Sequence, residues 1–248
     1  MQAVGAIGAR MQQGLWHRAK LRAINMKLTA LKLTDYKLAA FDMDSTLINI
    51  ECIDEIADAA GKKAEVAAIT EAAMRGEITD FKDSLRRRLG LLKGVPEAAL
   101  EDVYAKRLQI NPGVEKTVQA MKNAGIKLLL VSGGFTFFSD RVAKRLGFDF
   151  ARANVLEIEN GLLTGRVVQQ PWGDIVDGVE KKKMLLQTAA QLGIQPNQTI
   201  AVGDGANDLP MMSVAGLSVA YHAKPKVREQ AMIQINEGGM DELLAHFS

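Results

Sequence analysis

Lys37-Leu38-Ala39-Ala40-Phe41-Asp42-Met43-Asp44-Ser45-Thr46 is an apolar run that stops abruptly on acid and hydroxyl side chains. Residues 38–41 are apolar at every position, the pattern of a short strand buried on both faces of a parallel sheet. Extended residues two apart project the same way, so Asp42 and Asp44 leave the carboxyl end of that strand together, where open parallel sheets place their ligands. Such a pair can divide the labour: one carboxylate stays ionised as a nucleophile, while the other sits near its protonation midpoint and gives or takes a proton. A polar turn uses the same residue types, so the hexad 41–46 alone leaves both readings open.

Further short β-prone runs lie at 126–131, 199–202, 217–220 and 232–235, bounded by Gly, Asp or Ser and separated by helical stretches. The alternation predicts an α/β chain: a Rossmann-like parallel sheet with helical crossovers. The interval 47–109 breaks the rhythm, having helical spacing over 53–60, 63–75, 80–92 and 96–108 and no convincing strand, with Pro96 suited to a first helical turn. It reads as a helical cap inserted after the first strand. Residues 155–170 read as strand, turn at Asn160-Gly161, strand. The expected organisation is an N-terminal helical extension over 1–36, a catalytic core over 37–46 and 110–248 with a small hairpin at about 155–170, and the cap over 47–109.

Two more strand ends carry chemistry. The second strand runs into Ser132-Gly133-Gly134 ahead of a helix over 135–146, and a hydroxyl with glycine amides at a helix mouth can cradle a phosphate. After 199–202 comes Gly203-Asp204-Gly205-Ala206-Asn207-Asp208, whose carboxylates and amide are hard oxygen ligands of the kind magnesium takes. Lys181, opening the helix before that strand, has the charge to neutralise a phosphoryl oxygen. Taken singly, the glycines fit an ordinary turn and Lys181 a surface lysine.

The whole chain sets bounds on these readings. Its 248 residues suffice for one catalytic body and a modest second module. With 31 basic and 29 acidic residues the net charge is +2, too even to mark a nucleic-acid partner. No apolar run approaches the roughly 20 residues of a membrane span. The single cysteine, Cys52, excludes an internal disulfide framework, fits a reducing cytoplasm and reads as a small buried apolar residue. Residues 1–36 mix basic and apolar side chains without a long apolar core and cleavage site, so they read as a helix packed on the body or an oligomer contact rather than a targeting peptide.

In order, these strand ends supply a nucleophile, an acid/base, a phosphate cradle, a cation and a metal site, and from residue 37 to about 244 the chain resembles the haloacid dehalogenase superfamily. Within it the motifs are similar to those of the phosphoserine phosphatase family: Phe41-Asp42-Met43-Asp44-Ser45-Thr46, Glu51 with Ile53-Asp54-Glu55-Ile56, Ser84-Leu85-Arg86-Arg87-Arg88, Val131-Ser132-Gly133-Gly134-Phe135, and Val202-Gly203-Asp204-Gly205-Ala206-Asn207-Asp208. The resemblance implies magnesium-dependent hydrolysis of O-phospho-L-serine, the last step of serine biosynthesis, through an aspartyl phosphate. It makes Asp42 the nucleophile and Asp44 the acid, then base, and has Asp42, the Asp44 backbone carbonyl and Asp204 hold Mg2+. Ser132, Gly133, Lys181 and Asn207 would bind the phosphoryl group, and Asp208 would support the metal and Lys181. Glu51 would meet the substrate's amino group and Arg88 its carboxylate, with Met74 and Phe81 lining the pocket.

Consecutive helical residues cannot all face inward, so one of Arg86, Arg87 and Arg88 is expected in the site, and motif position selects Arg88. The bulky stretch Gln169-Gln170-Pro171-Trp172-Gly173 departs from the family pattern and leaves Lys182 and Lys183 as substitutes for Lys181. Residues 1–36 are too few for the regulatory small-molecule domain that some relatives carry. A cytoplasmic monomer or homodimer acting on a small molecule is expected, with no nucleic-acid or membrane partner. Two alternatives stand: a phosphatase or phosphotransferase of the same scaffold acting on another small phosphomonoester, and a non-catalytic phospho-ligand-binding protein. Against the second, a phosphate-binding protein gains nothing from an extra anion beside Asp42.

Overall fold

The computed structural model describes residues 31–74 and 77–248. The expected N-terminal extension lies outside them up to residue 30, and the Met74 call falls on a side chain outside them. The central sheet has six strands, β1 (Leu38–Phe41), β2 (Lys127–Phe135), β3 (Phe150–Asn154), β6 (Thr199–Gly203), β7 (Leu217–Tyr221) and β8 (Ile233–Ile235). Their spatial order is β3-β2-β1-β6-β7-β8, and every neighbouring pair is parallel. Strands β4 (Leu156–Glu159) and β5 (Leu162–Val167) form a separate antiparallel hairpin, turned by Asn160 and Gly161 at positive φ.

Alternation along the strands sorts side chains onto two apolar layers. Ala39, Phe41, Leu128, Leu130, Ile200 and Val202 enter one core. Leu38, Ala40, Leu129, Val131 and Ala201 enter the other, with Val176, Leu185 and Ala189. This second face is covered by α7 (Gly178–Gln191). Asp42 follows Leu38 and Ala40 on that face, which directs its carboxylate towards α7.

The chain runs from β1 outward to β3, then returns to lay β6 on the other side of β1, so the strand order reverses between β1 and β6. Ligands of open α/β sheets bind at such a reversal, beyond the carboxyl ends of the strands. Phe41 pairs with Val202, and the Asp42 amide donates to the Val202 carbonyl at 3.0 Å, which sets Asp42 beside the loop that begins at Gly203.

Between β1 and β2 lie α1 (Cys52–Ala59), α2 (Lys63–Met74), α3 (Phe81–Leu91) and α4 (Ala98–Lys106), followed by α5 (Val114–Asn123). Asp80 caps α3, its side chain accepting from the Lys82 amide at 2.9 Å. Pro96 precedes α4 instead of opening it, and makes an isolated bridge to Leu162 of the hairpin. The two chain segments that join these helices to the sheet run side by side. Asn49 and Asn111 donate main-chain N–H groups to Gln109 and Leu47 at 3.1 and 2.9 Å, and Asn111 Nδ2 donates to the Thr46 and Ile48 carbonyls at 2.9 Å each.

Two further expectations change. Strand β3 is absent from the sequence reading, because Phe150-Ala151-Arg152-Ala153-Asn154 combines weak strand formers with a charge at its centre; edge placement and the Arg152–Glu180 ion pair accommodate it. Strand β2 does not stop at Val131 but continues irregularly to Phe135, its register against β3 shifting between Val131 and Phe135, before α6 (Thr136–Leu146) begins. Ser132 and Gly133 therefore sit in an irregular strand end and not at a helix mouth. Among the described residues no helix is long and apolar enough to cross a membrane.

Candidate active site

Asp42 lies buried at the tip of β1, and Lys181, wholly buried in the first turn of α7, reaches it at 2.7 Å. Asp177 caps α7 by accepting from the Glu180 amide at 2.9 Å, which starts the helix where Lys181 faces the sheet. The same ammonium lies 2.7 Å from Asp208, which also accepts from the Gly205 amide at 3.0 Å. Of the alternatives, Lys183 is exposed and pairs with Glu180 at 3.5 Å, and Lys182 is half-buried. Glycine at 203 is required here, because a Cβ would collide with the Asp208 side chain as it folds back.

Asp42, Asp204 and Asp208 place carboxylate oxygens within 4.8 Å of one another, all buried. Burial pushes the Asp42 carboxyl well up, Asp208 adds to this, and Lys181 opposes it. Asp204 is pushed up to about 7 by burial, then by Asp208 and Glu51. Burial works against the charge of Lys181, but Asp208 and Asp42 outweigh it and hold the ammonium protonated. Once all three are ionised, three buried carboxylates against one ammonium leave two negative charges unmatched. An all-oxygen donor set with that imbalance suits a hard divalent cation such as Mg2+. Thr46 Oγ1 donates to Asp204 at 3.3 Å, a support the sequence reading did not single out although Thr46 lies in its first motif.

Asp44 sits apart from this trio. Its carboxyl is raised to about 8 by burial and then by Glu51, while contacts from Cys52, Sγ at 3.0 Å and the amide at 3.4 Å, pull the other way. Burial, with Asp44 next, pushes the Cys52 thiol well up, so it stays a thiol. Gly134 packs against this acid: a Cβ there would lie 3.0 Å from both Asp44 Oδ2 and Ser132 Oγ. Ser132 Oγ accepts from the Gly134 amide at 2.8 Å. Asn207 is half-buried in the loop after β6, its Oδ1 against Gly205.

The inserted helices close over this floor. Phe81, at the start of α3, lies against Gly133, with Cζ 3.2 Å from where a Cβ would stand. Arg86 pairs with Asp174 at 2.5 Å and Arg87 with Asp83 at 2.9 Å, both exposed. Arg88 turns inward: burial lowers its pKa, while Asp54, Glu51 and Asp44 sustain its charge. Arg88 Nε is buried without a hydrogen-bond partner among the described residues. Glu51 is exposed at the N-cap of α1 and accepts from Ser45 Oγ at 2.7 Å; Ser45 itself has φ of 56°. A further cavity of about 440 Å³, lined by residues including Asn111, Glu115, Lys116, Arg145 and Asp241, holds none of the predicted site residues; its charges are matched by Lys116–Asp241 at 2.9 Å and Arg145–Glu115 at 3.0 Å.

A family model described as haloacid dehalogenase-like hydrolase matches residues 36–216. A protein of a Polaromonas species named phosphoserine phosphatase is 70% identical over 221 residues, 89% of this chain and 94% of that one. One of the same name from Albidiferax ferrireducens is 68% identical over 217 residues, 88% and 92% of the two chains. Among solved structures, a substrate-bound phosphoserine phosphatase complex superposes with a TM-score of 0.79 at 41% identity, covering 86% of this chain and 99% of that one. A phospho-aspartyl intermediate analogue of phosphoserine phosphatase gives the same TM-score, identity and coverage.

Proposed function

The chain belongs to the haloacid dehalogenase-like hydrolases, and within them to the phosphoserine phosphatases, and on that premise we propose that it hydrolyses O-phospho-L-serine to L-serine and phosphate, the last step of serine biosynthesis, with Asp42 as nucleophile. The observation that carries this reading is the split pair at the end of β1. Burial raises both carboxyls, but Asp42 faces a fixed ammonium at 2.7 Å that draws it towards ionisation, whereas Asp44, two residues on, is held at about 8 and carries a proton at neutral pH.

In the first half-reaction an Asp42 oxygen forms a bond to phosphorus as the bond from phosphorus to the serine oxygen breaks. The leaving oxygen takes the Asp44 proton. In the second, water attacks the phosphorus of the acyl phosphate, its proton passes to Asp44, and phosphate leaves with Asp42 restored. Lys181, the Ser132 hydroxyl and the amides of the irregular end of β2 are the donors available to the phosphoryl oxygens. Asp42, Asp204 and the Asp44 carbonyl would hold Mg2+, which when bound supplies charge neutralisation to the phosphoryl group. Asp208, spent on Lys181 and the Gly205 amide, orients these partners.

Substrate selection is assigned to the inserted helices. A guanidinium with an open buried N–H suits a carboxylate, and Glu51, fixed by Ser45, suits an ammonium. Phosphate release from phosphoserine with Mg2+ tests the reading, and Asp42→Asn is expected to abolish turnover. Activity that survives this substitution refutes the nucleophile assignment.

A further inference from the structure

We infer that Asn154, at the end of β3, is a positioning residue for the phosphoryl site, locking the 133–134 peptide so that Ser132 presents its hydroxyl proton to the substrate. The inference rests on the proposed phosphatase function. Asn154 is fully buried. Its Nδ2 donates to the Gly133 carbonyl at 2.7 Å, and its Oδ1 accepts from the Val176 amide at 2.7 Å. One side chain thus ties the irregular end of β2 to the segment that leads into α7 and Lys181. Phe81 closes the same gap from the inserted helices, lying against Gly133, which is itself packed on the Val176 carbonyl.

The consequence follows from peptide geometry. In a trans peptide the C=O and the following N–H point in opposite directions. Holding the Gly133 carbonyl towards Asn154 therefore turns the Gly134 N–H the other way, and it donates to Ser132 Oγ at 2.8 Å. A serine hydroxyl has one proton to give. With Oγ already accepting from Gly134, that proton is free for a phosphoryl oxygen. A register break between Val131 and Phe135 leaves this stretch without regular ladder bonds, so a side chain must fix the peptide that β3 does not.

The test uses the full chain with Mg2+ and two variants. Asn154→Asp keeps the acceptor for the Val176 amide and loses the donor to Gly133; Asn154→Ser shortens the side chain and carries no charge. Both are expected to lower kcat/KM about tenfold or more, equally for phosphoserine and for an aryl phosphate, and to weaken inhibition by inorganic phosphate by a similar factor. Asp149→Ala is the comparison, because Asp149 makes a bond of the same kind, from the Leu128 amide at 2.9 Å, at the opposite end of the β2–β3 pairing. It should lower Tm while leaving kcat, KM and phosphate inhibition unchanged. A merely structural Asn154 would behave like Asp149, with Tm lowered and unchanged kinetics per folded molecule, and that result overturns the inference while the function stands. Equal kinetic losses in the Asp149 variant overturn it as well. A wild-type chain that releases no phosphate from any monoester overturns the function and the inference together.

Discussion

Replacing Lys181 by Met, which has similar length and no charge, is the most demanding probe of the site. The ammonium makes contacts of 2.7 Å with both Asp42 and Asp208 and is wholly buried. At an effective dielectric constant of about 20, each pair attracts by about 6 kcal/mol before the cost of desolvation is subtracted. Breaking a buried pair by removing one partner costs about 3–5 kcal/mol net, because the remaining carboxylates are left uncompensated. For a protein of this size that corresponds to a fall in Tm of about 6–20 °C. The assay is thermal unfolding at pH 7.5 in EDTA and again in Mg2+. The metal-free variant should lose the full increment and Mg2+ should return part of it. The deficit should also shrink towards pH 5, since protonating the stranded carboxylates removes their repulsion. A metal-free variant that melts within about 2 °C of wild type would mean that the three carboxylates do not depend on Lys181, and the electrostatic account of the site would fail.

The remaining predictions concern proton, metal and substrate. Asp44 and Asp204 are raised to about 8 and about 7, above their unfolded values near about 4, so between those limits the folded state holds protons that the unfolded state has released. Stability in EDTA should therefore fall as pH rises from 5 to 8, and Mg2+ should flatten the slope; Tm rising with pH in EDTA contradicts both shifts. Asp44→Asn should slow release of serine from phosphoserine by about 10²–10⁴ but spare the first-turnover release of phenolate from an aryl phosphate, which leaves without a proton, while steady-state turnover of both falls for want of the base. Equal slowing of first-turnover release from the two substrates would remove Asp44 from the role of acid. Arg88→Ala should raise KM for phosphoserine far more than for the aryl phosphate, and an equal effect on both would make Arg88 structural.

What the sequence made legible was chemistry held within short continuous segments. Asp42 and Asp204 directly follow apolar strands and Ser132 lies at the irregular end of another, while Asp44 and Asp208 lie in the turns just beyond, so all five belong to short motifs at strand ends. Helix geometry left room for only one of Arg86, Arg87 and Arg88 in the site, and motif position in the family selected Arg88; the structure has the other two exposed. Asn154 left no trace, being a lone amide at the end of a strand built from alanine and arginine. The partner of Asp44 was equally hidden: a cysteine whose apolar burial was expected also brings its Sγ within 3.0 Å of the acid. Contacts across the fold, such as Thr46 to Asp204, carry no local pattern for a sequence to display.

The laced crossings at Asn49 and Asn111 make the helical insert a cassette with a single doorway. Because entry and exit are stitched to each other, and Ile50, Glu51 and Cys52 stay with the site to hold Ser45 and Asp44, residues 53–107 lie outside every pairing of the six-stranded sheet. Selectivity for the part of a substrate beyond its phosphorus can therefore drift in the cassette while the machinery beneath keeps its geometry.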